Sequence, residues 1–488
     1  MHSKSKRISA RHVMIGATAA LSVYGVYKLT QKYRVKNTLL LTCSYDNSVC
    51  GLPVPKVLTH PLGAPGVYFG THLKNSAYQV SKPANVDGHV GVFGESSRGK
   101  TSGIVIPTMA YFPGPQFIID TKGDLAQVWQ QFHRNDGRKL KRFSPAARDK
   151  NPCWIDPFEL LKYDPDNKCG HAWDLAEAIL PTNRMDNSPV WKEAAQTILA
   201  GTLLYYFEEG WNFADALVQI ANSKISELVQ KIAASNHAEA TVFVKQLSDI
   251  DEKVILNVGL DLRDLIQMVS VPAILNAFSP DSACEQLSLY DFAMGTENFD
   301  LIFEVPDAEL QQLRPLVVLV LTQLMRYLAR RPEQTRADAE VPPMLLLLDE
   351  FPRLGQMPSI IDGLNTLRSK KVTFLLCMQS IASLESLYGA ADARVILENL
   401  SFKVILGATD TQSQTYFSRL VGDVLMEAEN LSVGVPLNVS QSYHLERRPY
   451  IYPHAFQTLQ DVIVVSPKGA FQVKKHRPWV SLPKFVKK

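Results

Sequence analysis

The chain has 488 residues, 46% hydrophobic and 20% charged, with a formal net charge of +3. That is longer than one domain usually runs, and the composition excludes wholesale disorder. So balanced a charge neither requires nor excludes a nucleic-acid partner, so any such contact must be a local patch.

Six cysteines (Cys43, Cys50, Cys153, Cys169, Cys284 and Cys377) are scattered without a C-x-x-C pair. The spacing removes zinc and thioredoxin-like readings and leaves free thiols in a reducing compartment. Cys43 and Cys50 alone are close enough to close a small loop, which matters only outside the cytosol.

At the N-terminus, residues 12–27 form an uncharged, mostly apolar run between Lys4, Lys6, Arg7 and Arg11 on one side and Lys28, Lys32, Arg34 and Lys36 on the other. The run is short of the roughly 20 residues a spanning helix needs, though basic side chains at both ends can snorkel and extend it. Residues 1–36 are therefore expected to be a membrane anchor with basic flanks. A helix lying on the membrane surface and a cleaved signal peptide are the alternatives, the latter opposed by Lys28 and the lack of a small-x-small site. Equal basic flanks leave the orientation undetermined. Residues 37–88, rich in Pro, Gly, Asn and Ser, are expected to be an irregular lead-in.

Regular structure is then predicted in the order strand (89–94), glycine-bearing loop, helix opening at Lys100, and strand (116–120), which makes one βαβ unit. Residues about 160–290 carry apolar positions at helical spacing with few strand-like runs. Strands resume at 300–306, 344–350, 372–379 and 402–408, with a long helix at 309–331, and the chain closes with strands at 462–466 and 470–475. Continuous Leu/Ile/Val runs are what a parallel sheet covered on both faces requires. The predicted fold is thus α/β: a RecA-like P-loop nucleotide-binding domain over 89–160 and 295–488, with a mostly parallel sheet, interrupted by an all-α domain over 161–294.

Two motifs carry the chemistry. Gly94-Glu95-Ser96-Ser97-Arg98-Gly99-Lys100-Thr101 fits G-x-x-x-x-G-K-[ST] at every fixed position, between an apolar strand and a helix. The glycines let backbone amides turn inward on phosphate oxygens, and the helix start through Ser102 adds its dipole. Lys100 bridges the outer phosphates of ATP, and Thr101 takes a Mg2+ position. Leu345–Leu348 form a buried strand that delivers Asp349 and Glu350 to its carboxyl edge, where open α/β sheets bind ligands. Asp349 is expected in the metal shell, and Glu350 as the base that orients and deprotonates water. Gln379, ending the next strand, is a candidate γ-phosphate sensor. Asp120, Lys122 and Asp124 in D-T-K-G-D end another strand without an assignable role. Arg368, Arg394 and Arg419 are equivalent candidates for an arginine supplied to a neighbouring subunit. Lys370–Lys371, Arg447–Arg448 and Lys474–Lys475–His476–Arg477 are modest basic clusters that could touch a phosphate backbone.

Taken together, GESSRGKTSGIVIPTM, IIDTKGDL, KRFSPAARDKNPCWIDPF, the stretch from LLLLDEFPRLGQ to CMQS and ILENLSFKVILGATDTQSQTYFSRLVG resemble the type IV secretion coupling proteins of the TraG/TraD class, over about residues 89–475. The resemblance implies a hexameric ATPase at the bacterial inner membrane, with its bulk in the cytoplasm. Such a protein recruits DNA with its relaxase, or protein effectors, to the secretion channel components during conjugation or effector delivery. It also implies that the helical insertion contacts substrate or accessory proteins. Two membrane helices are common in that family, and one candidate stands here. A chromosome-segregation translocase of the FtsK-like type and a docking receptor that uses ATP only for assembly are the competing readings. The helical insertion and the lack of a DNA-reading C-terminal module oppose the first.

Overall fold

A computed structural model describes residues 54–133, 137–147, 153–181, 189–245, 263–281, 283–333, 341–434 and 438–476. The apolar run at 12–27, together with Cys43, Cys50 and Arg477, lies outside the described residues. Among the described residues, no helix is long and apolar enough to cross a membrane.

In chain order the strands are β1 (Thr59–Pro61), β2 (Val67–His72), β3 (Asn75–Lys82), β4 (Val90–Phe93), β5 (Gln116–Asp120), β6 (Lys139–Phe143), β7 (Cys153–Trp154), β8 (Glu285–Gln286), β9 (Phe299–Glu304), β10 (Met344–Leu348), β11 (Val372–Met378), β12 (Phe402–Ile405), β13 (Asp423–Gly434), β14 (Asn438–Pro449), β15 (Val462–Ser466) and β16 (Gly469–Val473). Nine of them form the central sheet in the order β16-β15-β12-β4-β11-β10-β5-β9-β6. From β12 through β6 every pairing is parallel, and β15 and β16 add an antiparallel edge. Strands β4, β5, β9, β10, β11 and β12 are buried along their whole length. That is the physical meaning of their unalternating apolar sequences: helices cover both faces. On one of those faces the 20-residue helix Leu310–Ala329, with Pro315 inside it, buries fourteen side chains.

Among the described residues, eight α-helices lie between β7 and β8: Glu159–Tyr163, Lys168–Ile179, Pro189–Glu208, Phe213–Asn222, Ile225–Ala233, Ala238–Val244, Arg263–Ser270 and Pro272–Phe278. The two short strands pair in parallel at the neck of this excursion. Arg326 on the 310–329 helix reaches Asp174 and Glu177 on the 168–179 helix and ties the helices to the sheet layer.

The structure corrects the lead-in. Residues 59–82 are not irregular but a three-stranded antiparallel sheet in the order β1-β3-β2. Its alternation is invisible in sequence because polar Thr71, Gln79, Ser81 and Lys82 are fully buried. Lys82 donates to Thr373 at the start of β11 at 3.0 Å, and burial lowers its ammonium to about 7. The β13–β14 hairpin is a second element that the sequence reading leaves out.

Asp300 on β9 organises the far half of the sheet. It is buried and accepts from Gln116 N at 2.9 Å, Trp129 Nε1 at 2.7 Å and Arg138 Nη2 at 2.9 Å. Replacing it with Ala removes the carboxylate partner of Arg138, leaving that guanidinium the Phe112 and Gly114 carbonyls, and strands two buried donors, so Asp300→Ala is expected to lose about 3 kcal/mol in urea unfolding. A loss below about 1 kcal/mol would show that the network contributes little.

Candidate active site

At the carboxyl end of β4 the chain turns through Gly94–Gly99 and enters a wide helical turn at Thr101–Val105, continued by the helix Ile106–Tyr111. Ser97 (φ 68°) and Gly99 (φ 85°) take left-handed backbone, which costs a serine energy but a glycine none. Alternating hands of backbone aim successive amides at one concave side, the geometry of an anion nest. The cradle is tight. A Cβ on Gly99 would sit 3.2 Å from Lys475 Cε and 3.3 Å from Ser102 Oγ. Lys100 is 5% exposed, and its ammonium folds over the loop to donate to the carbonyls of Gly94 at 2.6 Å and Glu95 at 3.3 Å.

β10 lies two positions from β4, with β11 between them, so the ends of all three strands meet at the loop. Thr101 Oγ1 donates to Asp349 Oδ2 at 3.0 Å, joining residues 248 apart in sequence. Asp349 is buried, and its Oδ1 has no hydrogen-bond partner among the described residues. Burial pushes its carboxyl above the usual range, opposed first by the Lys122 charge and then by the Thr101 hydrogen bond. A buried, half-satisfied carboxylate beside a hydroxyl is a hard-oxygen donor set that suits Mg2+. Glu350 adopts left-handed backbone at φ 57°, ψ 41°, an uncommon conformation for a non-glycine residue that concentrates at functional sites. Gln379 Nε2, from the end of β11, donates to Glu350 Oε2 at 3.1 Å.

Of the predicted loop residues, Ser96 and Ser97 are exposed at the mouth, and Ser102 faces Gly99 from the first helical turn. Glu95 is half-buried, with Oε1 unpartnered among the described residues. Arg98 departs from expectation. Its side chain donates through Nη2 to Gln457 O at 2.5 Å and lies against Gly407. Lys475 is the residue the sequence reading misplaced. Rather than standing free in a basic cluster, it donates to Arg98 O from beyond β16 and braces the loop. Its neighbour Lys474 exchanges backbone hydrogen bonds with Thr71, and no local motif signals either contact. Lys370 is likewise engaged, with Arg331 O at 2.6 Å and Glu333 at 3.2 Å. Arg448 pairs with Glu446 at 2.7 Å, and Arg394 with Glu398 on its own helix at 2.8 Å.

The D-T-K-G-D stretch acquires a structural role. Asp120 accepts from the backbone N–H groups of Lys122 at 3.0 Å, Gly123 at 2.8 Å and Leu125 at 2.8 Å. These bonds close the turn at the end of β5 and carry Lys122 to the acidic pair, 4.0 Å from Asp349 Oδ2 and 3.7 Å from Glu350 Oε1.

A family profile described as type IV secretory system conjugative DNA transfer matches residues 29–479. The chain belongs to this family. Among the curated relatives, Protein VirD4 of Rhizobium radiobacter is 25% identical over 371 residues, 75% of this chain and 51% of that protein. Conjugal transfer protein TraG of Escherichia coli is 22% identical over 438 residues, 82% of this chain and 67% of that protein. The chain thus spans about half to two-thirds of these relatives' length. The plasmid coupling protein TrwB with a non-hydrolysable ATP analogue superposes with a TM-score of 0.58, at 16% identity, covering 90% of this chain and 99% of that one. TrwB with ADP and Mg2+ gives a TM-score of 0.58 at 17% identity, covering 84% and 90%. At that identity the likeness concerns the fold.

Proposed function

We propose that the protein is an ATP-driven coupling protein that recruits DNA, relaxase nucleoprotein or protein effectors to the channel components of a type IV secretion system. In this reading it works as a homo-hexamer attached to the bacterial inner membrane through residues 1–36, with its bulk in the cytoplasm. The helical segment 161–294 forms a separate domain that meets substrate. The observation that carries the proposal is the 3.0 Å contact between Thr101 and Asp349, which makes one site of two motifs 248 residues apart. Family membership, the conjugal-transfer names of the relatives and the nucleotides bound in the TrwB structures support it.

The chain's own residues divide the work. The Gly94–Gly99 amides and Lys100 bind and orient the phosphates, and the helix opening at Thr101 adds its positive end. Thr101 and Asp349 hold Mg2+, which when bound supplies charge that screens the reacting phosphates. Glu350, whose carboxylate Gln379 steadies, orients the attacking water and takes its proton. Gln379 also stands where an amide can report on the terminal phosphate. β11 places it between the loop and the acidic pair.

Steady-state ATPase assays with and without single- or double-stranded DNA, together with the mass of the assembled particle, test the proposal. Severalfold stimulation by DNA and a particle near six chains are expected. An ATPase indifferent to DNA, with substrate docking that survives loss of ATP binding, would instead support the receptor reading.

A further inference from the structure

Glu350 is held from both sides by the strands that flank β10. Its Oε2 accepts from Gln379, at the end of β11, and its Oε1 lies 3.7 Å from the Lys122 ammonium, just beyond the end of β5. We infer that Lys122 is a positioning residue for hydrolysis, a fixed cation that holds the Glu350 carboxylate in its working orientation and occupies the charge field of the Asp349–Glu350 pair until a metal enters.

Three observations support this beyond the distances. The Lys122 backbone is fixed, because Asp120 gathers three backbone amides of the turn and Asp307 N donates to Thr121 O at 3.0 Å on its other side. Gly123, at φ 77°, supplies the left-handed residue that the turn needs. The Lys122 side chain is 45% exposed, whereas those of Asp349 and Glu350 are 4% and 8% exposed. The ammonium can therefore give way at Asp349, its longer contact at 4.0 Å, while staying beside Glu350 at 3.7 Å, and the carboxylates cannot leave. Two buried carboxylates side by side repel each other unless a cation is near. Among the described residues Lys122 is the cation within 4.0 Å of both of them, and a divalent ion at Asp349 would compete with it. A cation close to a metal ligand opposes the metal, and at a half-exposed position the opposition is screened to about a threefold to tenfold effect.

The inference rests on the nucleotide-site reading above, and its test separates the two. Steady-state ATPase is measured on the full chain alongside the Mg2+ dependence of binding a fluorescent ADP analogue, for wild type, Lys122→Met and Lys122→Arg. Lys122→Met is expected to lower kcat about tenfold by freeing the Glu350 carboxylate while leaving KM for ATP within about twofold. The Mg2+ concentration that half-saturates ADP tightening should fall at least about threefold, because the opposing charge is gone. Lys122→Arg should keep both quantities within about threefold of wild type. A Lys122→Met kcat within twofold of wild type, or a Mg2+ midpoint that is unchanged or higher, overturns the inference and leaves the nucleotide site standing. A wild-type protein that binds no Mg2+–nucleotide overturns both.

Discussion

Lys100→Ala is expected to abolish ATP turnover, by at least about 10²-fold, and to weaken ATP binding severely, as read by steady-state hydrolysis and nucleotide titration. Removing one preorganised charge from the place where transition-state charge develops costs about that much. The effect should be separable from folding. In the structure the ammonium bonds two carbonyls of its own loop, Gly94 at 2.6 Å and Glu95 at 3.3 Å, and the loss of such bonds costs about 1–3 kcal/mol. A variant that melts close to wild type yet neither binds nor hydrolyses ATP is the predicted outcome. Turnover near wild type would remove the 94–101 loop from the chemistry.

Glu350→Gln should bind ATP with affinity within about threefold of wild type and hydrolyse it about 10²–10⁴ times more slowly, the range for loss of a general base. The substitution is isosteric, and Gln379 Nε2 can still donate, to the amide oxygen in place of Oε2. The left-handed backbone at φ 57° strains glutamine no more than glutamate. The proposed metal donors Thr101 and Asp349 are untouched. Nucleotide affinity and single-turnover hydrolysis measured together check the prediction, and hydrolysis at the wild-type rate would remove Glu350 from the role of base.

The two effects differ because the two residues sit at different stages of one event. In the proposed mechanism Lys100 acts on the phosphates from binding onward, so its loss is felt in both measurements. In that mechanism Glu350 acts on water, so its loss is felt only in turnover. Lys122 belongs with Glu350 in this respect, with a smaller effect because its own side chain is half in solvent.

Much of this was legible along the chain. Gly94, Gly99, Lys100 and Thr101 are recognisable because a phosphate cradle demands those residue types within eight consecutive positions. The Leu345–Leu348 run is recognisable because a strand buried on both faces tolerates little else. The lead-in sheet was not legible, since Thr71, Gln79, Ser81 and Lys82 bury polar groups where an alternating pattern would call for apolar ones. Nor were the partners of Arg98, Lys122 and Lys475, whose contacts join segments from separate parts of the chain.

The sequence by itself determined that a strand, a phosphate loop and a helix stand in succession, and that an acidic pair ends another buried strand, because these are local demands of backbone geometry and burial. Only the tertiary structure decided that β11 lies between β4 and β10, that Thr101 meets Asp349, and that the ends of β5 and β11 grip Glu350 from either side. Strand order is set by how helices and crossovers pack on the two faces of a sheet, a long-range balance that no local spacing records.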